Sequence, residues 1–107
     1  MAETALSNHK SAQRLVERIK THFGGISHTR YWLRVAYYEP FHGYNVFFNI
    51  KRPRMFTRSI PVGEYDYCDF ERLVAILKEF RQTYHFTIEF VGFTKDQLHQ
   101  LYEERLI

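Results

Sequence analysis

Six histidines, one cysteine and one cluster of acids are the residues of this chain that could do covalent or acid–base chemistry. The histidines fall at 9, 22, 28, 42, 85 and 99, and no two stand at metal-ligand spacing on a predicted element. His28, just ahead of the first strand, and His42, in a hairpin loop, are the two placed to act as a general base. Cys68 stands between Asp66 and Asp69, whose charges oppose a thiolate, so it reads as a structural residue. One cysteine cannot supply paired ligands, which argues against a structural zinc site. Glu64, Asp66, Asp69 and Glu71 carry enough charge to hold Mg²⁺ beside a phosphate. They also sit where a helix should begin, and capping accounts for them without any chemistry. No P-loop, G-x-G-x-x-G, G-x-S-x-G or H-E-x-x-H motif occurs. The catalytic reading is therefore confined to His28 and His42, with no metal and no cofactor.

Binding chemistry is more concentrated. Thr29 to Ile60 holds six of the fifteen Lys/Arg residues, one of the twelve acids and nine of the nineteen aromatics. Within it, Lys51 to Arg58 has four positive charges and no acid. Arg52, Arg54 and Arg58 are expected to contact phosphates, and Trp32, Tyr38 and Phe47 to stack on bases or pack on a protein. Arg34 and Lys51 share the same strand face. The expected function is a non-enzymatic module that docks on an acidic partner, either nucleic acid or a protein that handles it. An alternative is an inhibitor or adaptor of a host nuclease, encoded by a phage or plasmid in the manner of anti-CRISPR proteins. Another is a small metal-independent RNase of toxin type.

The elements that must position these residues follow from periodicity. Ala12, Leu15, Val16, Ile19 and Phe23 predict an amphipathic helix over 8–23, with Ser7 or Asn8 as cap, Gly24-Gly25 as stop and residues 1–7 fraying. Lys10, Arg14 and Arg18 form its solvated stripe. Tyr31, Leu33, Val35 and Tyr37 alternate with Trp32, Arg34, Ala36 and Tyr38, the period of a strand. Glu39 to Gly43 reads as a five-residue hairpin loop. In the second strand Tyr44, Val46, Phe48 and Ile50 face the core, while Asn45, Phe47, Asn49 and Lys51 face away. Pro53 breaks pairing, and Met55 to Val62 predicts a short edge strand marked by Pro61. That edge leaves room for a homodimer by strand addition. Phe70, Leu73, Val74, Leu77 and Phe80 predict a second helix. Tyr84, Phe86, Ile88 and Phe90 predict a further strand that ends at Gly92. Thr94 to Gln97 has the form of a capping box, opening a third helix with Leu98, Leu101 and Tyr102 turned inward.

The chain thus reads as one α+β domain over 1–107, in the order α-β-β-(β)-α-β-α. The expected sheet has three or four mostly antiparallel strands, helices one and two on one face, and helix three shielding part of the other. The lone cysteine favours a reducing, cytoplasmic setting. No signal peptide or membrane span is expected.

Ser27-His28 opening three strands, then Ser59-Ile60-Pro61-Val62 ahead of a helix carrying Leu73-Val74-Ala75-Ile76-Leu77, resembles the HicA-type toxins of double-stranded-RNA-binding-domain-like fold. The resemblance spans residues 8–80 and implies RNA cleavage with His28 as the catalytic residue. Ile26 stands where that family has a glycine, the hairpin is longer, the second helix starts with acids, and residues 84–107 are additional. The assignment is not adopted.

Overall fold

The computed structural model describes residues 7–107. Its centre is the predicted hairpin. Strand β1 (Arg30–Tyr38) pairs antiparallel with β2 (Gly43–Lys51) along its full length, from Arg30 opposite Lys51 to Tyr38 opposite Gly43. A 3₁₀ turn over Glu39–Phe41 and His42, at φ 44°, join them. Gly43 therefore belongs to β2 and not to the loop. It has to be glycine, because a Cβ there would stand 2.0 Å from the Tyr65 carbonyl oxygen.

Strand β3 (Arg58–Tyr65) adds antiparallel to β2 at the sheet edge, as Pro61 implied. It begins three residues later than predicted. Arg54 takes φ 62°, Met55 N–H reaches the Arg52 carbonyl at 3.2 Å, and Lys51 Nζ donates to the carbonyls of Arg52 and Met55. These contacts hold residues 52–57 as a loop. Val62 forms a bulge, since Val46 pairs with Gly63 and Phe47 with Pro61. The guanidinium of Arg18 donates to the Val62 carbonyl at 2.9 Å, so this residue of the expected solvated stripe is half-buried and structural.

Helix α1 (Asn8–Lys20) is capped by Ser7, whose side chain accepts from Lys10 N–H. Ser7 is therefore ordered, while the rest of the tail expected to fray, residues 1–6, lies outside the described residues. The helix stops before Phe23, which instead sets its ring 4.7 Å from Tyr31 and 5.3 Å from Phe86. Helix α2 (Phe70–Arg81) is capped by Asp69 through Arg72 N–H at 2.8 Å. It carries the chain back along the sheet, so strand β4 (Thr87–Val91) runs parallel to β1. The sheet order is β3-β2-β1-β4, and the sheet is mixed, with one parallel pair beside two antiparallel ones. β4 is shorter than predicted because Tyr84 and Phe86 leave the ladder for the aromatic cluster around Phe23.

Helix α3 (Lys95–Glu103) opens with the predicted Thr94–Gln97 capping box. It lies beside α2, joined by Gln100–Glu71 at 3.2 Å and Lys78–Glu104 at 2.8 Å. Tyr102 is exposed, contrary to expectation; Leu106 turns back, with its N–H on the Leu101 carbonyl, and is buried in its stead. Leu33, Val35, Tyr44, Val46, Phe48, Ile50 and Ile88 of the sheet form one buried cluster with Leu15, Ile19, Leu73, Leu77, Phe80, Leu101 and Leu106. Each such side chain contributes roughly 1.5–3 kcal/mol of burial. The expected core face of the hairpin is thus confirmed, except that Tyr37 is exposed and Tyr31 only partly buried. All three helices cover this one face. Helix α3 does not shield the other.

Candidate functional site

The uncovered face can be laid out from the strand register. Across β4, β1, β2 and β3, the first row reads Thr87, Trp32, Asn49, Ser59. The second reads Glu89, Arg34, Phe47, Pro61, and the third Val91, Ala36, Asn45, Glu64. Arg30 opposite Lys51 closes one end, and Tyr38 opposite Gly43 the other. Trp32 and Phe47 are half-buried, with one flank of each against the sheet. They stand on diagonal positions of neighbouring strands, roughly 7–8 Å apart at that spacing. Arg30 lies 5.5 Å above the Trp32 ring, a cation–π contact. A cleft of about 350 Å³ opens beside them, lined by Arg30, Tyr31, Trp32, Thr87 and Glu89. Asn49 is 1% exposed; its Oδ1 accepts from Ser59 Oγ at 2.6 Å, while its buried Nδ2 finds no partner among the described residues.

Charge on this face is smaller than the composition suggests. Arg34 Nε donates to Glu89 at 2.7 Å, which cancels its charge locally. Lys51 is committed to the carbonyls of the loop it precedes. The cations that remain are Arg30, Arg52, Arg54 and Arg58, all exposed and without an ion-pair partner among the described residues. They gather at one end of the sheet. The same loop lifts Phe56, 98% exposed, and Met55, 60% exposed, away from the body.

Of the residues singled out from the sequence, the fold brings together Trp32, Phe47, Arg52, Arg54 and Arg58. Lys51 is there as a loop brace and Arg34 as half of an ion pair. Tyr38 is not with them. It sits at the far end, its ring 5.5 Å from Phe41, and β1 of nine residues spans roughly 25–30 Å. His28 and His42 are separated by the same strand, so they do not form a pair. Both are exposed and both have positive φ, 60° and 44°. His28 borders the basic end, whereas His42 lies with Cys68 at the opposite one, where Cys68 N–H donates to the His42 carbonyl at 3.2 Å. Burial pushes the Cys68 thiol up, with Arg72 only partly offsetting it. No group of His, Cys, Asp and Glu among the described residues is arranged to hold a metal ion.

Arg30 and Phe56 were not picked out from the sequence. Arg30 was legible, being two residues before Trp32 and hence on its face. For Phe56 the signal was its place between Pro53-Arg54 and Arg58, in a loop too polar to bury a ring.

No protein-family model, no curated protein and no solved structure matches the chain. The helix, three-strand, helix order that the toxin resemblance implies is present over Asn8–Arg81, but no match carries a family assignment. No helix among the described residues is long and apolar enough to cross a membrane.

Proposed function

We propose that the chain is a non-enzymatic binding module that takes single-stranded nucleic acid along the open face of its sheet. Bases would stack on Trp32 and Phe47, and phosphates would follow Arg30, Arg52, Arg54 and Arg58. One observation carries this reading. All three helices lie on the other face, so the aromatic face is bare and runs into a loop of uncompensated arginines. A mixed α+β scaffold with a bare sheet suits such a ligand, because every base offers a π-face to an exposed ring. The single free cysteine fits a reducing cytoplasm as its setting.

The test is a titration with a labelled oligonucleotide, read by anisotropy and by the emission of Trp32, the sole tryptophan. Saturable binding that quenches Trp32 and weakens in Trp32→Ala supports the module; binding that leaves Trp32 emission unchanged overturns the proposed face. Denaturing gels of the same mixtures read cleavage. Scission lost in His28→Ala or His42→Ala would replace binding by the RNase reading.

A second reading rests on Phe56. An almost fully exposed phenylalanine between arginines is a poor surface residue and a strong interface anchor. It suits a protein partner with an acidic-rimmed apolar pocket, such as a host nuclease held by a phage- or plasmid-encoded inhibitor. A stoichiometric partner retained by the wild type and lost by Phe56→Ser would favour this reading over the first. Self-pairing at the β3 edge would have to accommodate Pro61 and the Val62 bulge, and light scattering reads the resulting dimer.

A further inference from the structure

At the end of the sheet opposite the basic loop lies a cavity of about 600 Å³ between the hairpin and the starts of α2 and α3. Its aromatic walls are Tyr37, Tyr44, Tyr67 and Phe70. The Tyr37 and Tyr44 rings are 5.6 Å apart and inclined by 59°, which makes a corner of two π-faces. Tyr44 is 4% exposed as a residue and forms part of the cavity wall.

The mouth is held rigidly. Tyr67 has φ 50° and His42 φ 44°, a conformation that costs a bulky residue roughly 1–2 kcal/mol. Two backbone bonds between these segments, Tyr67 N–H to Phe41 O at 2.8 Å and Cys68 N–H to His42 O at 3.2 Å, keep them there.

The charge in this cavity selects the ligand. Asp69 is the one formally charged residue of its lining. Burial keeps the Cys68 thiol and the Tyr44 hydroxyl neutral, the latter pushed up to about 12. The N–H groups at the helix starts are already capped, α2 through one oxygen of Asp69 and α3 by its capping box, and Glu71 and Asp96 stand in the two first turns. Arg72, outside the lining, reaches Ser11 at 3.2 Å and the Cys68 thiol. Four rings and one carboxylate complement a soft organic cation.

We propose that this cavity binds an organic ammonium group by cation–π contact with Tyr37, Tyr44 and Tyr67, with Asp69 as counter-charge. The group would be the side chain of a lysine in a peptide or the end of a free polyamine. The full chain is titrated with N-acetyl-lysine amide, with spermidine, with norleucine amide as the neutral isostere and with inorganic phosphate. Amide NMR shifts at Gly92, Thr94 and Gln97 report occupancy. Ammonium probes should shift these residues saturably, and each of Asp69→Asn and Tyr37→Leu should weaken binding at least about threefold. Asparagine remains a good N-cap, and Tyr37 is exposed, so both variants keep the fold. Lysine amide without spermidine assigns the site to a peptide; the reverse assigns it to a polyamine. Absence of binding, equal shifts by norleucine amide, preference for phosphate, or full affinity in both variants overturns the proposal. Its outcome is independent of nucleic-acid binding, because Trp32 and Arg52 lie at the other end of the sheet.

Discussion

Removing the loop arginines should change the salt dependence of binding more diagnostically than it changes affinity at any one salt. Arg52, Arg54 and Arg58 are exposed and have no ion-pair partner among the described residues, so each can neutralise one phosphate. For single strands each such contact adds about 0.7 to the slope of log affinity against log salt, or about 2 for three contacts. Between about 50 and 200 mM salt, the three arginines alone would then cost the wild type about 20-fold in affinity. The triple alanine variant should lose about that part of the dependence and leave only what Arg30 contributes. Each single alanine variant should lower the slope by about 0.7, whatever the oligonucleotide sequence. Arg34→Ala combined with Glu89→Ala is the internal control, since it removes a pair that is already neutral. Anisotropy at four or five salt concentrations measures these slopes. A wild-type slope near zero, or one that the triple variant leaves intact, would refute the argument that this loop meets phosphates.

Other perturbations test the framework around the two sites. Phe56→Ser should leave stability within about 0.5 kcal/mol, since the ring touches little, yet abolish capture of a protein partner; a clear loss of stability by urea melt would show that the ring is packed. Gly43→Ala drives a Cβ to 2.0 Å from Tyr65 O and 2.9 Å from Asp66 Cα, both backbone, and should cost about 2–4 kcal/mol in the same melt. A loss under about 0.5 kcal/mol would mean that β2 and the β3–α2 link are not so closely apposed. Because the folded Tyr44 pKa is raised to about 12 from 10, its contribution to stability is complete below pH 10 and is lost as pH rises from there towards 12. Tyr44→Phe should therefore fall less steeply than the wild type across that window, and parallel curves would contradict the desolvation that raises its pKa. Cys68, buried and with its pKa raised, should alkylate at pH 8 at least about tenfold more slowly in the native protein than in urea.

The elements themselves were legible because each is written in local periodicity. Alternation from Tyr31 to Tyr38 and from Tyr44 to Lys51 placed both central strands and separated their two faces. Two acids, Asp66 or Asp69, and the Thr94–Gln97 pair marked two helix starts; Asp69 and the capping box act there as caps. What was not legible depends on distance in space. Whether α3 would cover Trp32 and Phe47 turned on how Leu101 and Leu106 pack beside α2, a long-range contact without a local pattern. Nor could the direction of β4 be read, since a strand carries the same alternation whether it runs parallel or antiparallel.

The basic aromatic stretch shows the same division. Its residue types and its alternation belong to the sequence, which assigned Leu33, Val35, Val46 and Phe48 to the core and Trp32 and Phe47 to the other side. Tertiary structure alone decided how much of its charge is available. Glu89, 55 positions from Arg34, neutralises one cation, and the carbonyls of Arg52 and Met55 absorb another in Lys51. It also parted Tyr38 and His42 from the arginines by the length of a strand and gathered them with the acidic, aromatic end. Alternation fixes the face on which a side chain stands, but only the assembled sheet fixes which partner reaches it.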